Sequence, residues 1–277
     1  MLELTQVVRS VRDLPALPSI VLDLIGSFER DDVDISTLAE KMSRDQALAA
    51  KTLRLAHSSF YGLPSKVKTV KQAIVVLGFD SARALAVASS IIDSFGASRC
   101  PQVDVGSFWR HSIAAALCAK NLARHAHIDQ DYAFIAGLLH DIGRLVLASS
   151  FPEQYALVVA RRDSQDMTIG EAELLVLGVD HQRAGQMLAE AWMFPPLIQR
   201  AIGQHHAPAS TDLCNVPGIV HMADAMVHAL DLGGSADAAV PRLHDAAWDS
   251  LCLTPEQLHA TCRETEGQFE EACRLLM

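Results

Sequence analysis

The chain is predicted to be all-α, and three observations predict it. Hydrophobic residues make up 50% of its 277 residues but aromatics only 5%, so Ala and Leu carry the apolar content and favour helices. Apolar residues recur at helical spacing, as in Leu48, Leu53 and Leu55 or Ile113, Leu117 and Leu122, and no alternation of period two lasts long enough for a sheet. Helix starts are written repeatedly as a hydroxyl followed three residues later by an acid or amide.

In chain order those starts are Ser43-x-x-Gln46, Thr69-x-x-Gln72, Ser150-x-Pro152-Glu153, Thr168-x-x-Glu171 and Thr254-Pro255-x-Gln257. Gly62, Gly78 and Gly178 close apolar runs where a left-handed C-terminal cap is expected. The run AIVVLG at 73–78 has strand-like composition, but the Thr69 cap and the Ala-rich segment after it predict helix. Two lobes are expected: a helical N-terminal lobe over 1–96, joined near Ala97–Gly106 to a second lobe over 97–232. A softer segment, GGSADAAVPRLHD, leads into a helical tail within 233–277.

A net charge of -10 argues against nucleic acid as a partner, because phosphate recognition needs a basic face. The six cysteines (Cys100, Cys118, Cys214, Cys252, Cys262, Cys273) form no C-x-x-C pair and are read as reduced thiols. The opening residues are broken by Glu3, Arg9, Arg12 and Asp13, unlike a signal peptide, and no run is read as long enough to span a bilayer. A cytoplasmic protein is the expectation.

The chemistry is carried by histidine and aspartate set in apolar helical stretches, where an unpaired polar group is costly to bury. They are His111, the pair His140-Asp141, His181, the pair His205-His206, and Asp224. Lying far apart in the sequence, they must come from several helices, which is how bundle metal sites are assembled. Imidazole and carboxylate suit iron, manganese and zinc, so a centre of one or two divalent ions is expected. In AFIAGLLHDIGRLVL the adjacent pair is read as helical, its side chains diverging by roughly 100°. Gly137 and Gly143 beside it fit close helix approach. A second His-Asp, His244-Asp245, lies in a polar loop and is assigned no role. His57, His125, His127, His221, His228 and His259 are read as ordinary core or surface histidines. Arg110, Arg144, Arg183 and Arg200, each close in sequence to one of these residues, are the candidate phosphate contacts, Arg144 and Arg183 foremost, although each is read first as a solvated helix-face residue.

The phrases LPALPSIVLDLI, LAEKMSRDQALAAKTLRLAHSSFYG and TVKQAIVVLGFDSARALAV resemble the lead-in of HDOD proteins, relatives of the HD and HD-GYP phosphohydrolases. FWRHS, LLHDIGRLVL, GVDHQRAGQMLAEAW and IGQHH continue the likeness, so it covers roughly residues 10–230. Gln46 and His57 depart from the usual pattern. The resemblance implies an N-terminal helical lobe packed on an HD-like lobe. It also implies one ion on His111, His140, Asp141 and Asp224, a second on His181, His205 and His206, and Asp141 bridging them. Three features differ from the hydrolytic relatives: no Asp-Gly-x-Gly-Tyr-Pro element follows His206, Ser107 stands where some carry a Glu ligand, and Gly143-Arg144 replaces Gly-Lys. The group is mostly regarded as regulatory. The expectation is therefore a bacterial signal-transduction module acting through protein contacts, with metal or ligand bound and little turnover. The alternative is a metal-dependent phosphohydrolase acting on a nucleotide or cyclic dinucleotide. A signalling protein is the expected partner, a nucleotide ligand and a homodimer are compatible with the sequence, and neither nucleic acid nor membrane is expected.

Overall fold

The computed structural model describes residues 2, 4–14, 17–28, 35–57, 67–95, 103–209, 215–234 and 240–277. Among these the chain is helical throughout and forms no strand, as its composition predicts. The first helices are α1 (Leu4–Arg12), α2 (Ser19–Gly26), α3 (Ile35–Arg44), α4 (Gln46–Ala56), α5 (Val70–Leu77) and α6 (Phe79–Ser94). Then come α7 (Val105–Ala126), α8 (Gln130–Leu139), α9 (Ile142–Ser150), α10 (Pro152–Gln165) and α11 (Ile169–Leu177). The last are α12 (His181–Ala191), α13 (Pro196–Gln204), α14 (Val216–Ala229), α15 (Asp245–Leu251) and α16 (Pro255–Leu276).

Three of the five expected helix starts hold. Thr168 and Thr254 form full capping boxes with Glu171 and Gln257, and Thr69 accepts from the Gln72 amide. The other two move. Ser43 lies in the last turn of α3 with its hydroxyl on Ala39 O, and Asp45 caps α4 instead by accepting from Leu48 N. A carboxylate one residue before the helix outcompetes the earlier hydroxyl for the exposed amide. Ser150 ends α9, and Phe151 precedes α10 without a side-chain cap. Pro152 there presets the first-turn backbone and has no N–H to satisfy. AIVVLG is helical as predicted, and α5 and α6 are bent by 113° about Gly78, whose φ is +79°. Gly178 is the expected left-handed cap, while Gly62, Cys100 and Cys214 lie outside the described residues.

α7 forms the spine. Its buried Ala-rich surface packs on α8, α14 and α16, and the small side chains allow close approach on several sides. The final helix α16 reaches α4 and α6 as well as α7, bridging the early and late helices. α1 packs against α9 and α12. Further ties between the early helices and α8 come from Tyr132, whose hydroxyl donates to Phe28 O at 2.9 Å and whose ring meets Phe28 edge-on. One stretch, Gln130–Ser150, proves long and apolar enough to cross a membrane, contrary to the sequence reading. It is 83% buried in the core and is broken by a turn at His140–Asp141, so its apolarity serves packing.

Candidate metal centre

Five elements converge on one buried cluster. His111 lies two turns into α7, a helix started by Asp104, which accepts from the Gly106 and Ser107 amides. The Ser107 hydroxyl also donates to Asp104 at 2.7 Å, so it is committed to that cap. His181 opens α12 behind the Asp180 cap, His205 and His206 follow the end of α13, and Asp224 sits within α14.

The His140–Asp141 pair corrects the sequence reading. It is not on a continuous helix but forms the turn between α8 and α9. Two glycines fix that turn against its neighbours. A Cβ at Gly143 would fall 1.9 Å from His181 O, and one at Gly137 would fall 2.9 Å from Ala115 O. Backbone-to-backbone contact between α9 and α12 is what brings Asp141 to His181.

Asp141 Oδ1 lies 3.4 Å from His181 Nε2 and 3.5 Å from His205 Nε2, and His206 Nε2 is 3.0 Å from His181 Nε2. On the other side, Asp224 Oδ1 lies 3.1 Å from His111 Nε2 and 3.4 Å from His140 Nε2. His140 Nε2 is also 3.8 Å from Asp141 Oδ2 and so stands between the carboxylates. All seven predicted ligands are thus brought together, and six are closed off: none of His111, His140, Asp141, His181, His205 and Asp224 is more than 6% exposed. His206 alone of the seven is exposed.

The outward nitrogens are already spoken for. His140 Nδ1 donates to Gly137 O, His205 Nδ1 to Ile202 O, and His181 Nδ1 to the Glu173 carboxylate at 2.6 Å. Each bond fixes a tautomer that turns the Nε2 lone pair inward. The Nε2 atoms of His140 and His205 are buried with no hydrogen-bond partner. Inward lone pairs facing carboxylate oxygens repel unless a proton or a cation lies between them. The donor set therefore fits a metal ion, and the cluster could hold one.

The HDOD domain family matches residues 14–208, most of the chain. The chain is an HDOD protein. An HDOD domain protein of unknown function from Geobacter sulfurreducens shares its fold at 23% identity, with a TM-score of 0.78 over 99% of this chain and 98% of the other. A candidate phosphohydrolase from Shewanella amazonensis SB2B is 26% identical with a TM-score of 0.78, covering 98% of each chain. A candidate signal-transduction protein from Marinobacter aquaeolei VT8 is 26% identical at a TM-score of 0.78, over 95% of this chain and 60% of that one. An uncharacterised Treponema pallidum protein is 26% identical over 202 residues, which span 38% of its length.

Electrostatics in this HDOD cluster follow from its burial. Burial opposes ionisation of Asp141 and Asp224, yet the facing histidines, with Arg144 for Asp141, hold both carboxyls well below the usual range. Burial likewise disfavours charge on His140, but Asp141 and Asp224 raise it to about 9. His205 and His206 are pushed down by burial and by neighbouring imidazoles.

Sequence reasoning missed three participants, Glu173, His221 and His228. Glu173, wholly buried, accepts from the His181 amide as well as its ring, and from the Tyr155 hydroxyl at 3.0 Å. His221 donates from Nδ1 to His205 O and accepts the His244 amide at Nε2, which ties the end of α13 to α14. His228 Nε2 lies 3.4 Å from Asp224 Oδ1. A carboxylate inside the apolar run AELLVLG and the Asp224-x-x-x-His228 spacing were the available signals. Among the arginines, Arg144 reaches the cluster, donating to Asp141 Oδ2 at 3.1 Å. Arg110 pairs with Glu270 and stacks over Phe269 of α16, and Arg183 is exposed, its guanidinium 3.4 Å from Gln186 Oε1.

Proposed function

We propose that this protein is a signalling module that holds divalent metal in its His/Asp cluster and acts through protein contacts, with little or no turnover. The observation that carries this reading is the closure of the cluster. A phosphoester must reach the ion and a water beside it, and six of the seven expected ligands are at most 6% exposed. Arg144 strengthens the case, because it occupies Asp141 Oδ2, the oxygen that a bridging carboxylate would offer to a second ion. One ion would rest on His181, His205 and His206 with Asp141 Oδ1, and another on His111 and Asp224, with His140 standing between the two carboxylates. A bound divalent ion supplies Lewis acidity and lowers the pKa of a bound water. Within the chain, Glu173 and the Gly137 and Ile202 carbonyls hold the imidazoles in ligand-ready tautomers. The partner is a signalling protein in the cytoplasm of a bacterium, and a homodimer is compatible with the fold.

The second reading is a metal-dependent phosphohydrolase acting on a nucleotide or cyclic dinucleotide. It is favoured by the completeness of the donor set, in which two groups of side chains share Asp141. Elemental analysis of protein purified without chelator, followed by hydrolysis assays with a cyclic dinucleotide and a nucleoside monophosphate, separates the readings. The first expects bound iron, manganese or zinc that is lost in Asp141→Asn, and no product above that variant's background. Metal-dependent product formation that vanishes in Asp141→Asn would overturn it in favour of the second.

A further inference from the structure

We propose that His228 is a metal ligand, completing with His111 and Asp224 a two-histidine, one-carboxylate site for a divalent first-row cation such as zinc or iron. The proposal rests on the metal-binding reading above and extends it to a residue outside the seven. His111 and Asp224 alone make an incomplete site, since catalytic and transport ions of this class take three or more protein donors. Asp224 and His228 stand one helical turn apart on α14, so both side chains project from one face toward α7. The His111 and His228 rings lie 4.6 Å apart between centroids, and both approach the same Asp224 oxygen.

Spacing separates a ligand from an ordinary neighbour. Donors bound to one ion at about 2.1 Å in tetrahedral geometry are about 3.4 Å apart. His111 Nε2 and His228 Nε2 lie 3.1 and 3.4 Å from Asp224 Oδ1, and the three ligand atoms are all within 4.8 Å of one another. At 3.4 Å the His228–Asp224 pair is longer than a good charge-assisted hydrogen bond, which would close to about 2.7–2.9 Å. His111 Nε2 is within hydrogen-bond distance of that oxygen, whereas the wider His228–Asp224 gap suits a cation better than a shared proton. His228 is also the more open member, with 14% of its side chain exposed against 6% for His111 and 4% for Asp224. It gives this half of the cluster an edge through which an ion can enter. The Ser107 hydroxyl, turned to the Asp104 cap, supplies no donor here.

The test is a zinc and cobalt titration of chelator-stripped wild type, His228→Gln, Asp141→Asn and the surface control His259→Ala. Stoichiometry, competition affinity, the visible spectrum of the cobalt form and the thermal midpoint are read for each. His228→Gln should lose one equivalent, or bind it at least about 100-fold more weakly, and change the cobalt spectrum, while keeping the ion held by His181, His205 and His206. Retention of that second ion also proves the variant folded. Unchanged stoichiometry, affinity and spectrum in His228→Gln, with metal loss in Asp141→Asn, would overturn the His228 assignment and leave the metal centre standing. A wild type that binds neither zinc nor cobalt would overturn both.

Discussion

The two halves of the His/Asp cluster use the same chemistry and are built differently. Around Asp141, nearly everything is braced: Glu173 and Tyr155 stand behind His181, Arg144 holds Oδ2, the Ile202 carbonyl orients His205, and α9 lies in backbone contact with α12. Around Asp224, His111 and His228 come from the two long helices α7 and α14, and His228 is partly open to solvent. A braced site holds its geometry with or without an ion, whereas a leaner one depends on the ion to offset carboxylate burial. The Asp141 half should therefore set the stability of the fold, and the Asp224 half should exchange its ion more readily.

Breaking the braced half should have the largest effect. Asp141→Ala takes a carboxylate from the half-buried Arg144 guanidinium and from the facing histidines, at a cost of about 3 kcal/mol by chemical denaturation. Asp141→Ala combined with Arg144→Met should recover much of that loss while still failing to bind metal. Gly143→Ala should cost about 3 kcal/mol or more, because its Cβ meets His181 backbone rather than a movable side chain. The variant should also lose metal from the His181 side first; metal lost equally from both halves would count against their independence.

Smaller changes sharpen the contrast. Tyr155→Phe removes a buried donor to Glu173 and should cost about 1–3 kcal/mol, with a several-fold drop in affinity confined to the Asp141 half. In metal-free protein the depressed Asp141 and Asp224 carboxyls contribute stability above about pH 4, lost as the pH falls below it. His140 works in the opposite sense: its contribution is full below about pH 6.5 and is lost as the pH rises through about 9. Thermal melts of chelator-treated protein should therefore decline on both sides of neutrality, and a midpoint still climbing near pH 9 would contradict the His140 environment. Smallest of all, Arg183→Ala should change stability by less than about 0.5 kcal/mol and leave metal content untouched, since its side chain is exposed and its guanidinium meets Gln186.

What was legible in the sequence follows from how local each signal is. Thr69, Thr168 and Thr254 announce their helices because a cap is written within four residues. The clustering of the seven residues was legible because burying several polar groups in apolar helices calls for a compensating centre. Context also separated the two His-Asp pairs: His140–Asp141 turns into the cluster, whereas His244 starts α15 and offers only its amide to His221. The turn at His140–Asp141 was not legible, because its cause is tertiary: α12 lies against Gly143 and no local breaker marks the spot. Glu173 and His228 were missed for a similar reason. Each looks like a solitary polar residue until its partner arrives from another helix or the next turn.

The most direct test is an anomalous-scattering crystal structure of the protein loaded with zinc or iron. Two peaks are predicted, one within about 2.0–2.3 Å of Asp141, His181, His205 and His206 donors and one on His111, Asp224 and His228. A well-ordered, metal-soaked crystal with no peak, and with water bonded to the Nε2 atoms of His140 and His205, would contradict the account.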